Sequence, residues 1–474
     1  KLYKKSKKYK SYKVVWCYNS SEFNNLRGIY MKEIKSKLLS ITWPIMIELI
    51  LMYLLGSIDI FMLGKYSDEA VAIVGVSNQI IWMVNLMFVV ITSGTTILLT
   101  QYFGSNKDEK NIVEICGLSI GVNGVLGIVL SIVIILGGEF MFKLLNTPSE
   151  LISMGNTYMG IVGGASFVAA IMMTFTAILR AYGLTKTCMK ITILMNVVNV
   201  IGNYILIFGN FGFPQLGIAG AAISTTLSKV VACIFLGYRV YKVVMNKFKL
   251  DLFKIFPVNH LKNIVSIGLP TLGEQLSYNL SQLVITSIIN TIGIASMATK
   301  TYVGNIAFLA YLFAQGVAQG GSILIGRLIG EGEKDKAFNL FKYCVTRSLI
   351  VTISMSILLA IVGKYILAIF TTNEEILVLG SQVLFVNIFL EFGRTTNLIG
   401  INGLRATGDV KFPVYIAIFS MWTFAVGISY VLGIGLGLGL IGVWIGFALD
   451  EIIRGVLVAL RWKSRKWEDK SFVR

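Results

Sequence analysis

Long apolar segments separated by short polar connections recur along almost the whole chain. Each is about 20 residues or longer, the length that an α-helix needs to cross the hydrocarbon core of a bilayer. Only 14% of the residues are charged, against about 25% in soluble domains. The pattern predicts an all-α membrane protein with twelve transmembrane helices, at residues 40–63, 70–101, 112–137, 152–180, 189–209, 216–239, 263–290, 296–325, 338–362, 376–402, 412–432 and 440–460.

The chain contains an internal repeat. Alignment of Ser40 with Ser266, without a gap, places SITWPIMIE (Ser40–Glu48) on SIGLPTLGE (Ser266–Glu274), with proline on proline and glutamate on glutamate. Farther along, after a slip of one position, LRAYG (Leu179–Gly183) falls on LRATG (Leu404–Gly408). Each copy holds an even number of helices, so both enter the membrane in the same direction. We therefore predict two six-helix lobes related by a pseudo-two-fold axis along the membrane normal.

The basic residues predict the topology. The net charge is +18, and most Lys and Arg residues lie in the tails and the even-numbered connections. The positive-inside rule then puts both termini in the cytoplasm, which explains the charge without nucleic acid. We expect a basic N-terminal tail (1–37), an N-lobe (38–239), a cytoplasmic linker (240–262), a C-lobe (263–460) and a basic C-terminal tail (461–474). Residues 1–30 are expected to be an upstream extension not needed for function.

Cysteine and histidine usage excludes several classes of site. The five cysteines have no zinc-finger spacing, and their odd number does not support a disulfide framework. The single histidine, His260, lies in a basic connection. We therefore expect no resident metal or cofactor and no histidine-dependent catalysis.

The first apolar segment contains two carboxylates, Glu48 and Asp59. They are 11 residues apart, so they lie on nearly one face of a helix, about 16 Å apart along its axis. A carboxylate at this depth costs several kcal/mol and normally faces a bundle interior or a wet cavity. Each either pairs with a neighbouring helix or takes part in function.

Three asparagines form a polar stripe in the fifth predicted helix. Asn196, Asn199 and Asn203 are spaced i, i+3, i+7 and share one helical face. The repeat places Asp59 and these asparagines on apolar residues of the second half, so both features belong to the first half alone. Amide oxygens beside a carboxylate suit Na⁺ or a proton, although hydrogen bonding between helices is the alternative.

The second half has polar residues of its own within its apolar segments. Glu391 and Arg394 are one helical turn apart and can neutralise each other. The other candidates are Glu274, Gln275, Asn279 and Lys300. The glycine-rich segment Gly433–Gly442 is not followed by Lys-Ser/Thr, so nucleotide binding is not expected.

Five motifs resemble the multidrug and toxic compound extrusion (MATE) family of cation-coupled exporters. They are WPIMIELILMYLLGSIDIFMLG (Trp43–Gly64), AVAIVGVSNQI (Ala70–Ile80), LRAYG (Leu179–Gly183), MNVVNVIGNYILIFG (Met195–Gly209) and EFGRTTNLIGINGLRATGD (Glu391–Asp409). The resemblance, which covers about residues 38–460, implies a two-lobed, twelve-helix exporter that works by alternating access. It also implies coupling to Na⁺ or H⁺ and export of amphipathic organic cations.

The same resemblance suggests roles for individual residues. Asp59 is similar to the first-helix aspartate implicated in cation coupling, and Asn199 to an asparagine of the same site. Asn203 stands where relatives often carry aspartate, Tyr278 where several carry glutamate, and Arg394 closest to a tenth-helix acidic position. These three departures imply that coupling depends on Asp59 more than in some relatives.

We therefore expect a transporter and not an enzyme, working as a monomer in a bacterial-type cytoplasmic membrane. The predicted cation-coupling residues are Asp59, Asn196, Asn199 and Asn203, with Asp59 and Asn199 as metal ligands if the ion is Na⁺. The predicted substrate contacts are Glu48, Trp82, Glu274, Gln275, Asn279, Lys300, Glu391 and Arg394. The main alternative is a flippase for lipid-linked oligosaccharides, whose anionic substrate would need a cavity lined by several Arg and Lys.

Overall fold

The computed structural model describes residues 20–105, 109–244 and 257–473, and within these ranges the chain forms twelve long helices and no strand. They are α1 (Ser20–Gly64), α2 (Asp68–Ser105), α3 (Glu109–Leu144), α4 (Ser149–Ala181), α5 (Thr185–Leu206), α6 (Gly217–Val243), α7 (Val258–Ile292), α8 (Ile294–Gly330), α9 (Lys334–Leu367), α10 (Glu374–Thr407), α11 (Lys411–Gly435) and α12 (Gly439–Lys463). Ten of them have the length and composition of membrane-crossing helices; α7 and α12, which carry more polar residues, are the other two.

The helix ends differ from the predicted boundaries. Helix α1 begins at Ser20, inside the predicted tail, and α7 begins at Val258, inside the predicted linker. Residues 1–19 of the tail and 245–256 of the linker lie outside the described residues. Of the described residues, 20–40 belong to one unit and those from Ile41 onward to another. In the first unit, Lys37 Nζ lies 2.9 Å from Glu33 Oε1.

The C-terminal segment is not a free tail. Helix α12 continues to Lys463, and Trp467 just beyond it is fully buried. Its indole N–H donates to the Trp462 carbonyl oxygen at 3.0 Å. Farther on, the Phe472 amide donates to Gln101 Oε1 of α2 at 2.9 Å. Residues 464–473 therefore connect α12 to the N-lobe.

The two lobes meet at glycines that the repeat relates to each other. A Cβ atom on Gly104 would lie 1.9 Å from the Arg327 carbonyl oxygen, and one on Gly330 would lie 1.9 Å from the Gln101 carbonyl oxygen. The alignment that begins with Ser40 on Ser266 places Gly104 on Gly330, so each occupies the same place in its own copy. Such a reciprocal contact is what a two-fold axis between α2 and α8 produces. Only glycine permits this approach of the two backbones.

The two ends of the lobes differ in whether one lobe or both contribute residues to a buried apolar cluster. Near the predicted outer ends, one cluster contains only N-lobe residues, such as Ile73 and Ile134, and another only C-lobe residues, such as Ile289 and Val443. Near the predicted cytoplasmic end, a single cluster contains N-lobe residues together with Ile264. Apolar packing therefore joins the lobes at the predicted cytoplasmic end.

Candidate functional site

The first candidate site lies where α1 meets α5 in the N-lobe. The Asn203 amide nitrogen donates to Asp59 Oδ1 at 2.6 Å and to Asn199 Oδ1 at 3.3 Å. Asn199 and Asn203 are fully buried and Asp59 is half-buried. The helical spacing of the asparagines explains why both reach toward α1. The structure therefore brings three of the four predicted coupling residues together.

Two residues of α6 form hydrogen bonds to Asn199 of this cluster. The Asn199 amide nitrogen donates to Thr225 Oγ1 at 3.3 Å, and the Ser224 hydroxyl donates to the Asn199 carbonyl oxygen at 2.8 Å. These bonds fix the orientation of Asn199. Thr225 and Ser224 were not predicted, because hydroxyl side chains are common in transmembrane helices and carry no distinctive sequence signal.

The fourth predicted residue, Asn196, does not reach Asp59. Its amide nitrogen donates to the Thr192 carbonyl oxygen of its own helix at 2.8 Å. Asn196 and Asn203 share a face but are two turns apart, about 10 Å along the axis. A single carboxylate cannot contact both of them.

Asp59 interacts electrostatically with Lys229 of α6 and with Tyr158 of α4. Within the described part of the chain, however, no Lys, Arg or His nitrogen forms an ion pair with its carboxylate. Asn203 Oδ1 is buried and has no hydrogen-bond partner there. A carboxylate and a spare amide oxygen are thus adjacent, which are ligand types suited to a hard cation.

Glu48 has a different environment from Asp59 although both belong to α1. It is 6% exposed, and its Oε2 lies 2.9 Å from an Arg180 guanidinium nitrogen of α4. Arg180 also donates to Gln319 Oε1 of α8 at 2.8 Å. Glu48 therefore forms part of a polar connection between the lobes. Trp82, the other substrate contact predicted in the N-lobe, is 58% exposed.

The second candidate site is a cavity of about 500 Å³ inside the C-lobe. Four predicted residues line it, namely Glu274, Gln275, Lys300 and Arg394. Aromatic side chains of α7, α8 and α12 line it as well: Tyr278, Phe308, Tyr311, Trp444 and Phe447. The other two predicted residues of the C-lobe lie outside the lining. Asn279 donates to the Gln275 carbonyl oxygen at 2.8 Å, and Glu391 is fully buried behind the wall.

Most carboxylates in and around this cavity are bonded to arginine. Glu274 Oε2 lies 2.5 Å from Arg405, and Glu391 Oε1 lies 2.5 Å from Arg394. On α12, Arg454 forms an ion pair with Asp450 and lies 3.1 Å from Glu451 Oε1. No carboxylate of this group therefore stands without a basic partner, in contrast to Asp59.

Sequence reasoning missed the charged group of α12. The motif DEIIR (Asp450–Arg454) contains acid–base pairs at i, i+3 and i, i+4, and three charges inside a transmembrane helix are a usable signal. Helix α11 also contributes through Met421 and Ala425, which line the cavity. Both belong to the π-helical segment Met421–Ile428, and such segments frequently occur at functional sites.

Comparison with protein families gives a match to a model described as MatE, at residues 44–205 and again at residues 270–431. The first match begins at Pro44 and the second at Pro270, the two prolines that the repeat aligns. The uncharacterized transporter YisQ of Bacillus subtilis (strain 168) is 41% identical over 91% of this chain and 95% of its own length. The probable multidrug resistance protein NorM of Thermotoga maritima is 29% identical, covering 93% and 94% of the two chains.

Solved structures share the fold. A crystal structure of MATE in the bent conformation has a TM-score of 0.84 at 21% identity, over 91% of this chain and 95% of its own. An MOP superfamily transporter from Pyrococcus furiosus, for which a reversed polarity of the binding pocket is described, has a TM-score of 0.82 over 91% and 95% of the two chains. The prediction of an all-α, two-lobed membrane fold is confirmed.

Proposed function

Because the chain belongs to the MatE family of membrane transporters, and so is not an enzyme, we propose that it exports amphipathic organic cations in exchange for Na⁺ or H⁺. The single observation that supports coupling is the environment of Asp59. Its carboxylate lies in a transmembrane helix and accepts a hydrogen bond from Asn203 at 2.6 Å, but it forms no ion pair within the described residues. Relatives named as multidrug resistance proteins support the export of drugs.

The coupling cation would act on Asp59. A proton would bind the carboxylate itself, and Na⁺ would bind between the carboxylate and the spare oxygen of Asn203. Either ion weakens the attraction between Asp59 and Lys229 because it cancels the negative charge. Cation occupancy would then change the forces that hold α1 near α6 and shift the balance between outward-open and inward-open states.

The organic substrate would occupy the C-lobe cavity on its way out. A volume of about 500 Å³ falls within the range of drug-binding pockets. The aromatic faces of Tyr278, Phe308 and Tyr311 can hold an organic cation by cation–π attraction. We further propose that the protein acts as a monomer in a bacterial-type cytoplasmic membrane with both termini inside.

The test uses proteoliposomes with separately imposed Na⁺ and pH gradients and a cationic dye, ethidium, as substrate. Asp59→Asn should abolish gradient-driven ethidium transport while the protein stays folded, because the amide cannot exchange a cation. Asn196→Ala is the matched control, since Asn196 is also buried in the N-lobe but does not contact Asp59. Undiminished transport by the Asp59 variant would refute the proposal. Uphill transport that collapses with the gradient would exclude a passive channel.

The alternative function, a flippase for lipid-linked oligosaccharides, is less well supported. It needs several free basic residues in the cavity to hold an anionic diphosphate. Three of the four basic residues that line the cavity, Arg394, Arg405 and Arg454, are bonded to carboxylates. The cavity charges are therefore better suited to a small molecule than to a diphosphate.

A further inference from the structure

Lys300 differs from the other charged residues of the C-lobe cavity. It lines the cavity near the start of α8, and its ammonium donates to Thr286 Oγ1 of α7 at 2.7 Å. Within the described chain it has no carboxylate partner. An ammonium within a transmembrane helix is costly when no opposite charge balances it, and the partner of Lys300 among the described residues is a neutral hydroxyl. An anionic group brought into the cavity would offset that cost.

The cavity has two ends of different charge. On α7, Glu274 and Thr286 are 12 residues apart, or about 18 Å along the helix axis. At the Glu274 end, the carboxylate is bonded to Arg405 at 2.5 Å. At the Thr286 end lies Lys300 without an acidic partner. The four basic side chains of the wall are balanced by its three acidic side chains and by Glu391, which is bonded to Arg394 from behind the wall. The local positive charge is therefore at the Lys300 end.

The cavity wall also holds buried polar atoms without partners. The Nε groups of Arg405 and Arg454 are buried and have no hydrogen-bond partner among the described residues, and both arginines line the cavity. Arg454 is 7% exposed. Buried donors without partners cost free energy unless an acceptor reaches them. Two acceptors of the same wall, Gln315 Oε1 and Asn397 Oδ1, are also buried without a partner among the described residues. These atoms therefore suit a polar ligand in general, and the preference for an acid group rests on Lys300.

We propose that Lys300 forms a subsite for the carboxylate or sulfonate group of an amphipathic substrate, whose ring system lies against Tyr311 and Phe308. Beyond the organic cations of the proposed function, on which this inference rests, the cavity then favours molecules that also carry an acid group. The ammonium would exchange its bond to the neutral Thr286 hydroxyl for a bond to an ionised acid group, which adds the attraction between opposite charges.

Two dyes that differ in a single acid group test the subsite. Rhodamine B carries a carboxylate beside its cationic ring system, and rhodamine B ethyl ester carries the cation alone. Binding of each dye is measured by fluorescence anisotropy with the protein in lipid nanodiscs, and empty nanodiscs correct for partition into lipid. The wild-type protein should bind rhodamine B about tenfold more tightly than the ester. Equal affinities, or tighter binding of the ester, would overturn the proposal without any variant.

Variants assign the preference to Lys300. Lys300→Met should bring the two affinities together, mainly by weakening rhodamine B, whereas Lys300→Arg should keep the difference. Lys364→Met is the matched control, because Lys364 belongs to the same lobe but is exposed and paired with Glu374 at 3.7 Å. Equal loss of both dyes in Lys300→Met would contradict an acid subsite.

The Asp59→Asn variant separates this inference from the proposed function. It should keep the preference for rhodamine B, because Asp59 lies in the other lobe, but lose gradient-driven transport. If the ester is exported in an Asp59-dependent manner and no preference for rhodamine B exists, the subsite is wrong and the exporter stands. If the preference exists and Asp59→Asn transports normally, the subsite stands and the coupling proposal is wrong.

Discussion

The N-lobe and the C-lobe are copies of one six-helix plan, and the repeat-related Glu48 and Glu274 are each bonded to an arginine, whereas Asp59 of the N-lobe is not. In the N-lobe, Asp59 accepts a hydrogen bond from the neutral Asn203, and its nearest cationic interaction, with Lys229, is not an ion pair. In the C-lobe, Glu274 and Glu391 are each 2.5 Å from an arginine nitrogen. The charge of a carboxylate bonded to an arginine is already balanced by the protein, whereas a carboxylate held by a neutral amide leaves its charge available to a small cation.

The contrast separates two tasks that a coupled exporter needs. The repeat supplies the same scaffold twice, and the glycine contact between Gly104 and Gly330 keeps the copies symmetric where they meet. Charged residues then make the copies different. In our proposal the N-lobe responds to the coupling cation, and the C-lobe holds the substrate in a cavity with fixed charges.

Removal of Arg454 should have the largest effect on stability. Arg454→Ala leaves the buried Asp450 and the partly buried Glu451 without their basic partner, which should cost about 3–5 kcal/mol. The loss is measured as a lower Tm or denaturant midpoint of the purified protein in detergent. Asp59→Asn should cost less than about 1 kcal/mol, because no ion pair is broken. If the two variants are equally stable, the comparison between the lobes fails.

Removal of the Asn203 amide should have the next largest effect, on coupling. Asn203→Ala deletes the 2.6 Å bond to Asp59, and a hydrogen bond to a charged group contributes about 1.5–3 kcal/mol. If the ion is Na⁺, half-maximal ethidium transport should need about tenfold more Na⁺. If the ion is H⁺, half-maximal ethidium transport should occur at a proton concentration about tenfold lower, because the carboxylate loses a donor that favours its charged form. If half-maximal transport needs the same cation concentration in Asn203→Ala as in Asn196→Ala, the assignment of Asn203 to the coupling site is contradicted.

Substitution of the glycines between the lobes tests the symmetric part of the comparison. A methyl group on Gly104 or Gly330 would overlap a carbonyl oxygen of the other lobe, and overpacking typically costs about 1–3 kcal/mol. Gly104→Ala and Gly330→Ala should therefore lower the Tm by similar amounts. Gly121→Ala in α3 is the control, because a Cβ there meets nothing within 4 Å. Unequal effects of the two variants would argue against a symmetric contact.

The smallest predicted effect concerns pH. His260 Nε2 of α7 lies 3.1 Å from Asn111 Oδ1 and 3.6 Å from Glu114 Oε2 of α3, so it connects the lobes at their predicted cytoplasmic end. Burial lowers the pKa of His260 below its usual 6.5, although Glu114 acts in the opposite direction.

The lowered pKa means that the packed state binds a proton less well than the unfolded state. Stability should therefore rise as the pH increases through 6.5 and fall in acid. We expect the Tm difference between pH 8 and pH 5, measured in detergent, to be smaller in His260→Gln than in the wild-type protein. An unchanged difference would show that His260 does not contribute.

Much of the fold could be predicted from the sequence, whereas only part of the candidate site could. Asn199 and Asn203 were identified from spacing along one helix, but spacing also selected Asn196, which bonds to Thr192. Helical periodicity identifies a face and does not say how far along it a partner reaches. Asp450 and Glu451 were missed because their role depends on packing of α12 against the cavity. The partner of Glu274 is Arg405, 131 residues away.

The sequence alone determined that the chain crosses the membrane in two related six-helix halves. That outcome depends on the length of each apolar segment and on backbone hydrogen bonds made within each helix, and both are local properties. Only the tertiary structure decided which buried charges are neutralised. Coulomb energy falls with distance, so the fate of a carboxylate depends on which residue of another helix lies within a few ångströms. For Asp59 that residue is an asparagine, and for the carboxylates of the C-lobe cavity it is an arginine.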